Sequence, residues 1–247
     1  MSDGIKKISV VTICYNSESC IKQTIESVLN QAYKNIEYII QDGASSDKTC
    51  DIIREYTDDK RINFVSEKDA GIYNAMNKAT DRATGDYIIF MNSGDVFYDE
   101  KTLEDICPLL EGDIVYGGVI REKREGIIEE KYKGKHHLLK LILIGRMPCH
   151  QSMFIRNEIM KEYRYDETYK ITADYDFTVR AYANHLKMKY IDRFISRVEN
   201  IEGVSAQLEN VDIMRRHNDT ILRRNMPLWY YLVTPPKKVY RKVIDRV

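Results

Sequence analysis

Continuous apolar runs alternate with helical spacings through the first hundred residues. Residues 8–13 (Ile-Ser-Val-Val-Thr-Ile) form a β-branched run, the pattern of a strand buried on both faces. Residues 19–30 place apolar side chains at Ile21, Ile25, Val28 and Leu29, which predicts an amphipathic helix. Residues 36–41 predict a second strand, and Ser46 or Asp47 is placed to cap a helix running to about Tyr56. A third strand (62–66), a helix (71–83) and a fourth strand (87–92) follow, the last two joined by the Gly85-Asp86 turn. Such alternation predicts an α/β chain with a mostly parallel central sheet, right-handed crossovers and flanking helices.

The pattern loosens after residue 100. Residues 113–118, 127–132, 153–156 and 189–197 predict strands, and 136–144 a short amphipathic helix. Residues 174–184 predict a helix opened by acids, which suit its positive N-terminal end. Residues 211–224 predict a last helix. There is no internal repeat, low-complexity tract or Pro/Gly-rich linker, so one domain over 1–226 is expected, with an appendage over 227–247.

Composition adds one fact to this picture. The chain of 247 residues is 43% hydrophobic and 31% charged, ordinary for a globular protein, with formal net charge zero. That zero conceals an asymmetry. Residues 215–247 hold nine Lys/Arg against two acids, about +7, which leaves about −7 for residues 1–214. An acidic body with a basic tail predicts an anionic surface near the C-terminus as partner, and no nucleic acid on the body. Five cysteines without Cys-x-x-Cys spacing predict free thiols in a reducing cytoplasm. Residues 1–15 do not read as a signal peptide, and no apolar run approaches the ~20 residues of a spanning helix.

Two segments fit a membrane interface. Residues 133–146 set the five residues Leu138, Leu139, Leu141, Ile142 and Ile144 among Lys133, Lys135, Lys140 and Arg146; core packing is the other reading. Residues 226–233 carry Trp229, Tyr230 and Tyr231, then Pro235-Pro236 and a basic stretch; a solvated tail or a homodimer contact is the other reading.

The candidate chemistry sits where predicted strands end. Ligands of open α/β sheets bind outside the carboxyl ends of the strands. Asp95, in Asn92-Ser-Gly94-Asp95, and Asp42, in Gln41-Asp-Gly-Ala-Ser-Ser-Asp47, both stand there. Asp42 followed by Gly-Ala-Ser-Ser also reads as an acid ordering its own Asx turn. Asp174 heads a predicted helix, where a plain cap is the alternative to a functional role. The loop after the first strand, Cys14-Tyr-Asn-Ser-Glu-Ser, lacks the glycines and cations of a nucleotidyltransferase and the Gly-x-Gly-x-x-Gly of a dinucleotide oxidoreductase.

Taken together, Thr12-Ile-Cys-Tyr-Asn16, Gln41–Asp47, Glu67-Lys-Asp69-Ala-Gly-Ile-Tyr73, Asn92–Asp95, Cys149-His150-Gln151, Thr172-Ala-Asp-Tyr-Asp176 and Glu202-Gly-Val-Ser205 resemble the inverting family-2 glycosyltransferases of bacterial surface-polysaccharide biosynthesis. The resemblance covers about residues 6–205 and is tightest through 97. It implies a GT-A fold, the Rossmann-like fold of nucleotide-diphospho-sugar transferases, with a nucleotide-binding half over about 6–97 and an acceptor half over about 98–226. It implies a nucleotide-sugar donor, a UDP-sugar first, with Thr12, Tyr15, Asn16, Asp42, Asp69, Asn92 and Gly94 around the nucleotide. Asp95 would hold Mg2+ or Mn2+, although the usual motif offers a second acid. Asp174 aligns with the base that deprotonates the acceptor, with Ala173 where relatives carry Glu. His150 and Gln151 align with the acceptor and diphosphate side, and the 202–205 turn with a lid over the donor. The acceptor implied is polyprenyl-linked or a saccharide, and the setting is the cytoplasmic face of the membrane. A nucleotidyltransferase and a non-catalytic nucleotide-sugar-binding protein are the alternatives.

Overall fold

Seven consecutive buried residues make strand β1 (Ile8–Cys14) the centre of the first half of the sheet. The computed structural model describes residues 5–123, 126–130, 134–199 and 210–232. Strand β1 is flanked in parallel by β2 (Ile36–Asp42) and β4 (Tyr87–Phe90), and β2 carries β3 (Ile62–Ser66) in parallel on its outer side. All four lie where the apolar runs predict them. Between them run α1 (Ile21–Leu29), α2 (Thr49–Arg54) and α3 (Ile72–Arg82). Helix α2 is shorter than expected: Glu55, Tyr56 and Thr57 bond back three residues, to Ile52, Ile53 and Arg54, tightening the last turn.

The second half completes the sheet with mixed directions. It contributes β5 (Val96–Phe97), β6 (Ile114–Lys123), β7 (Gly126–Glu130), β8 (Met153–Arg156) and β9 (Met188–Glu199). The order is β3-β2-β1-β4-β8-β6-β9-β5, with β7 paired to β6. Strand β8 is antiparallel to both β4 and β6, while β9 runs parallel to β6. Helices α4 (Thr102–Ile106), α5 (Gly134–Leu143), α6 (Asn157–Tyr163), α7 (Ala173–Ala183) and α8 (Asn210–Asn225) belong to this half. Helices α4 and α6 and strand β5 are absent from the sequence reading, because two to seven residues are too few to show a period.

Alternation along the strands gives the sheet two apolar faces. Val11, Ile13, Ile39, Ile88 and Phe90 pack under α3 and α5 to α8, with Met76, Leu138, Met160, Phe177 and Ile221. Val10, Tyr38, Ile40 and Ile89 pack on the other face with Ile25, Ile53 and Leu103 of α1, α2 and α4. This settles the two readings of residues 133–146. Leu138, Leu141 and Ile142 are core, and Ile144 alone of the five is exposed. Full burial of such a side chain is worth about 1.5–3 kcal/mol, against about 1 kcal/mol per basic residue at an anionic surface, so the core wins. The carboxyl ends of β1, β2 and β4 share one edge, and the segment 149–152 entering β8 lies beside it.

Candidate active site

The loops after β1, β2 and β3 meet at that edge. Asn16 holds a left-handed φ of 48°, its Oδ1 accepts the Ser46 N–H at 2.9 Å, and its own N–H donates to Ser45 Oγ at 2.8 Å. Asn16 therefore ties two loops together. Asp42 is fully buried at the end of β2. Its carboxylate accepts from the Ser45 N–H (2.9 Å), Ser66 Oγ (2.7 Å), the Ser45 hydroxyl and the Cys50 thiol. Burial alone would raise its pKa; the bonds from Ser45 and Ser66 outweigh burial and hold it below the usual carboxylate value. The bonds from Ser45, three residues on, show Asp42 ordering its own loop, the structural role also read from the sequence. Thr12 is also fully buried: Tyr38 OH donates to its Oγ1 at 2.9 Å, and Oγ1 donates to the Met91 carbonyl at 2.7 Å.

Tyr15 and the half-buried Asp69 stand on the outer side of this edge. Tyr15 is 64% exposed. Asp69 Oδ1 accepts the N–H of Gly71, the residue before α3, at 2.8 Å. A Cβ added to Gly43 would stand 2.6 Å from Asp69 Oδ2 and 3.4 Å from the Tyr15 ring. Tyr15, Gly43 and Asp69 thus form one small surface, and Gly43 is a member the sequence reading passed over. Its signal was the Asp-Gly pair itself, a backbone that something approaches closely. Glu67 on the same loop pairs with Lys78 at 3.2 Å.

The turn after β4 carries the next group. Asp95 N–H donates to the Asn92 carbonyl at 2.9 Å, and Gly94 at φ 97° supplies the left-handed residue the turn needs. The Gly94 N–H and carbonyl are held by Thr24 and Gln23 of α1. Asp95 is 7% exposed and one carboxylate oxygen accepts Gln151 Nε2 at 2.7 Å. The Cys149 thiol donates to Gln151 Oε1 and so orients that amide. Asn92 Nδ2 meets His150 Nε2 at 3.0 Å, while Asn92 Oδ1 is buried without a partner among the described residues.

His150 carries the connection to the far side. With the Asn92 amide donating to Nε2, the neutral ring keeps its proton on Nδ1. That nitrogen is 3.4 Å from Asp174 Oδ2. Asp174 Oδ1 accepts the Tyr175 N–H at 2.8 Å and lies 3.0 Å from the Tyr73 hydroxyl. Asn92, Asp95, His150, Gln151 and Asp174 therefore converge as one network from three separate stretches of chain. Asp176 points away, as its place beyond Tyr175 predicts. It is buried and ion-paired to Arg180 at 2.6 Å; burial raises its pKa against the pull of Arg180. Tyr73 is the second residue missing from the sequence reading, although it stands inside the quoted loop-helix motif. The Glu202–Ser205 turn and residues 233–247 lie outside the described residues.

Comparison with known proteins bears on this arrangement. Residues 9–184 match the family described as Glycosyl transferase family 2. The chain is 34% identical over 217 residues to the glycosyltransferase MJ1057 of Methanocaldococcus jannaschii, covering 82% of this chain and 74% of that one. It is 41% identical over 106 residues to TuaG of Bacillus subtilis, a glycosyltransferase named for teichuronic acid biosynthesis, covering 42% of each. Among solved structures, Staphylococcus aureus TarS 1–349 in complex with UDP-GlcNAc superposes with a TM-score of 0.72 at 21% identity, covering 89% of this chain and 67% of that one. The fold is thus GT-A, a central sheet between helices with the network above at its strand ends. A match over most of its length, with a relative more than 30% identical over 82% of the chain, places this chain in glycosyl transferase family 2 and makes it a glycosyltransferase.

Proposed function

We propose that the enzyme moves a sugar from a UDP-sugar, with inversion, to a hydroxyl of a lipid-linked or oligosaccharide acceptor in surface-polysaccharide biosynthesis. The observation that carries this reading is the network joining Asp95 to Asp174 through Gln151 and His150. It ties Asp95, which this reading assigns to the diphosphate side, to Asp174, which it assigns to the acceptor side. UDP-GlcNAc in TarS and the teichuronic acid name of TuaG support the donor and product classes.

In this reading Tyr15 and Asp69 face the nucleoside, and Asn16 and Asp42 shape the loops that present them. Thr12 acts from beneath, bracing the strand ends through Tyr38 and the Met91 carbonyl. Gly94 lets the turn approach the diphosphate. Asp174 accepts the proton of the acceptor hydroxyl as that oxygen attacks the anomeric carbon opposite the leaving group, and single displacement inverts the centre. His150, held between Asn92 and Asp174, fixes the base, while Gln151 fixes Asp95.

The donor set bears on the metal. No group of three His, Cys, Asp or Glu side chains gathers among the described residues. Asp95 supplies one nearly buried carboxylate, and Asn92 Oδ1 is an orphaned buried oxygen. These hard oxygen donors fit Mg2+ or Mn2+ taking its remaining ligands from diphosphate and water. Bound there, the ion would neutralise charge building on the leaving nucleoside diphosphate.

The surface beyond α8 fits a membrane contact. Helical residues 227–232 expose Leu228, Trp229, Tyr231 and Leu232 one turn beyond Arg223 and Arg224, while Tyr230 packs on the core. No helix among the described residues is long and apolar enough to cross a membrane. We place the enzyme peripherally on an anionic cytoplasmic face, with 1–226 as the transferase domain and the segment from 227 as its contact.

Calorimetry against UDP, GDP, CDP and dTDP, with and without Mn2+, tests the reading. UDP selected over the rest and tightened by Mn2+ supports it; no binding of any nucleoside diphosphate refutes it.

A further inference from the structure

Tyr73 is the buried polar group at the site that the reaction above leaves unused. It is 7% exposed in the first turn of α3, with its ring against Tyr165 at 5.3 Å between centroids. Its hydroxyl lies 3.0 Å from Asp174 Oδ1 and 2.9 Å from the Ile171 carbonyl. One hydroxyl hydrogen cannot serve both acceptors. Burial, and the charge of Asp174 beside it, raise the phenol's pKa well above its ordinary value. The hydroxyl therefore stays a donor throughout the working pH range.

Helix α3 links two regions that are far apart in sequence. Asn74 Oδ1 accepts the N–H of Ala70 in the loop that carries Asp69, and Asn74 Nδ2 donates to Glu167. Asn77 donates to Glu167 and to the Tyr165 carbonyl, and accepts the Tyr165 N–H. Lys170 reaches back to the Ala70 carbonyl at 3.4 Å. The first turns of α3 thus clamp the loop 67–71 to the segment 165–174 that ends in the base.

We propose that Tyr73 is a positioning residue: its hydroxyl holds the ionised Asp174 carboxylate in the orientation that receives the acceptor's proton, and α3 ties that orientation to the donor-facing loop. With Asp174 ionised, the hydroxyl donates to Oδ1. Once Asp174 has taken the proton, the hydroxyl turns to the Ile171 carbonyl, so no buried donor is orphaned in either state. The inference rests on Asp174 being the base, and its test separates the two claims.

Tyr73→Phe keeps the ring that packs on Tyr165 and removes only the hydroxyl. Activity is followed as nucleoside diphosphate released from UDP-, GDP- and dTDP-sugars, using whichever the wild-type chain turns over. The expected result is a fall in kcat of about 10–100-fold, the value of one hydrogen bond to a charged group, with KM for the sugar nucleotide within about twofold. Asp174 is faced by Tyr73 from α3, His150 from the 149–151 turn and Tyr165 from the segment before α7. Loss of one donor to the ionised form moves the acidic limb of the kcat profile upward in pH. Added to Asp174→Asn, Tyr73→Phe has no further effect, because the two residues act as a unit. An unchanged kcat in Tyr73→Phe with an inactive Asp174→Asn overturns the positioning role and leaves the base. Full activity in Asp174→Asn removes the base and this inference together. So does a wild-type chain that turns over none of the sugars. A fall in kcat matched by a raised KM and a lowered melting temperature, with the pH limb unmoved, reduces Tyr73 to packing.

Discussion

Gly43→Ala isolates the role of the Tyr15–Gly43–Asp69 surface. The new methyl would stand 2.6 Å from Asp69 Oδ2, where carbon and oxygen normally keep at least about 3.4 Å. The carboxylate must therefore retreat by roughly 0.8 Å. Gly43 shows no left-handed φ, so alanine tests space and not backbone strain. Asp69 Oδ1 is also the acceptor for Gly71 N–H at 2.8 Å, and retreat stretches that bond and turns Oδ2 out of line. A hydrogen bond to a charged group is worth about 1.5–3 kcal/mol, so UDP affinity should fall about 10–100-fold. Global stability should change by less than about 1 kcal/mol, since Tyr15 is exposed and the core is untouched. Calorimetry with UDP and a thermal melt on the same sample give both quantities. A Kd within twofold of wild type, with the fold intact, would refute the placement of Asp69 against the nucleoside.

Two further predictions concern stability and the surface. Burial opposes ionisation of Glu37, but bonds from Lys7, Ser9 and Thr84 outweigh it and hold its pKa at about 2. A carboxylate with a depressed folded pKa stabilises above its unfolded value and loses that contribution as pH falls toward the folded one. Wild-type stability should thus decline between about pH 4.5 and 2, and Glu37→Gln should be weaker at pH 7 with a flatter decline. Chemical denaturation at several pH values measures both, and equal slopes would remove Glu37 as the cause. At the other end of the chain, Trp229→Ala with Leu232→Asp should cut sedimentation with phosphatidylglycerol vesicles at least tenfold and leave UDP binding unchanged. Unaltered sedimentation would move the membrane contact elsewhere.

The sequence revealed the donor half more clearly than the acceptor half, for a physical reason. Strands β1, β2 and β4 are buried along nearly their whole length, so their runs are mainly apolar and the polar residues that end β2 and follow β4, Gln41-Asp42 and Asn92, stand out. In the acceptor half α4 has five residues and α6 seven, too short for a period to emerge. The site residues were legible one by one, but not their contacts. Nothing in the spacing of His150, 24 positions before Asp174, shows that they meet at 3.4 Å. Nor does an Asp at a strand end declare whether it faces a ligand or its own loop. The full burial of Asp42 comes from Ser45, Ser66 and Cys50 closing over it. Tyr73 was hidden in the same way, since its partner lies 101 residues away.

The hydroxyl relay from Tyr38 through Thr12 to the Met91 carbonyl works as a gauge under the rim. It runs from β2 through β1 to the residue after β4, one polar line across three strands in an apolar interior. A one-residue slip of any strand would turn its side chains to the other face and leave buried hydroxyl or carbonyl groups unpaired. Register is thereby checked at the strand ends that set the spacing of Asn16, Asp42 and Asp95. The rim, in contrast, is built from exposed or loop-borne residues such as Tyr15 and Asp69. A chain made this way can exchange rim residues, and with them the ligand it prefers, while the frame that spaces them stays unchanged.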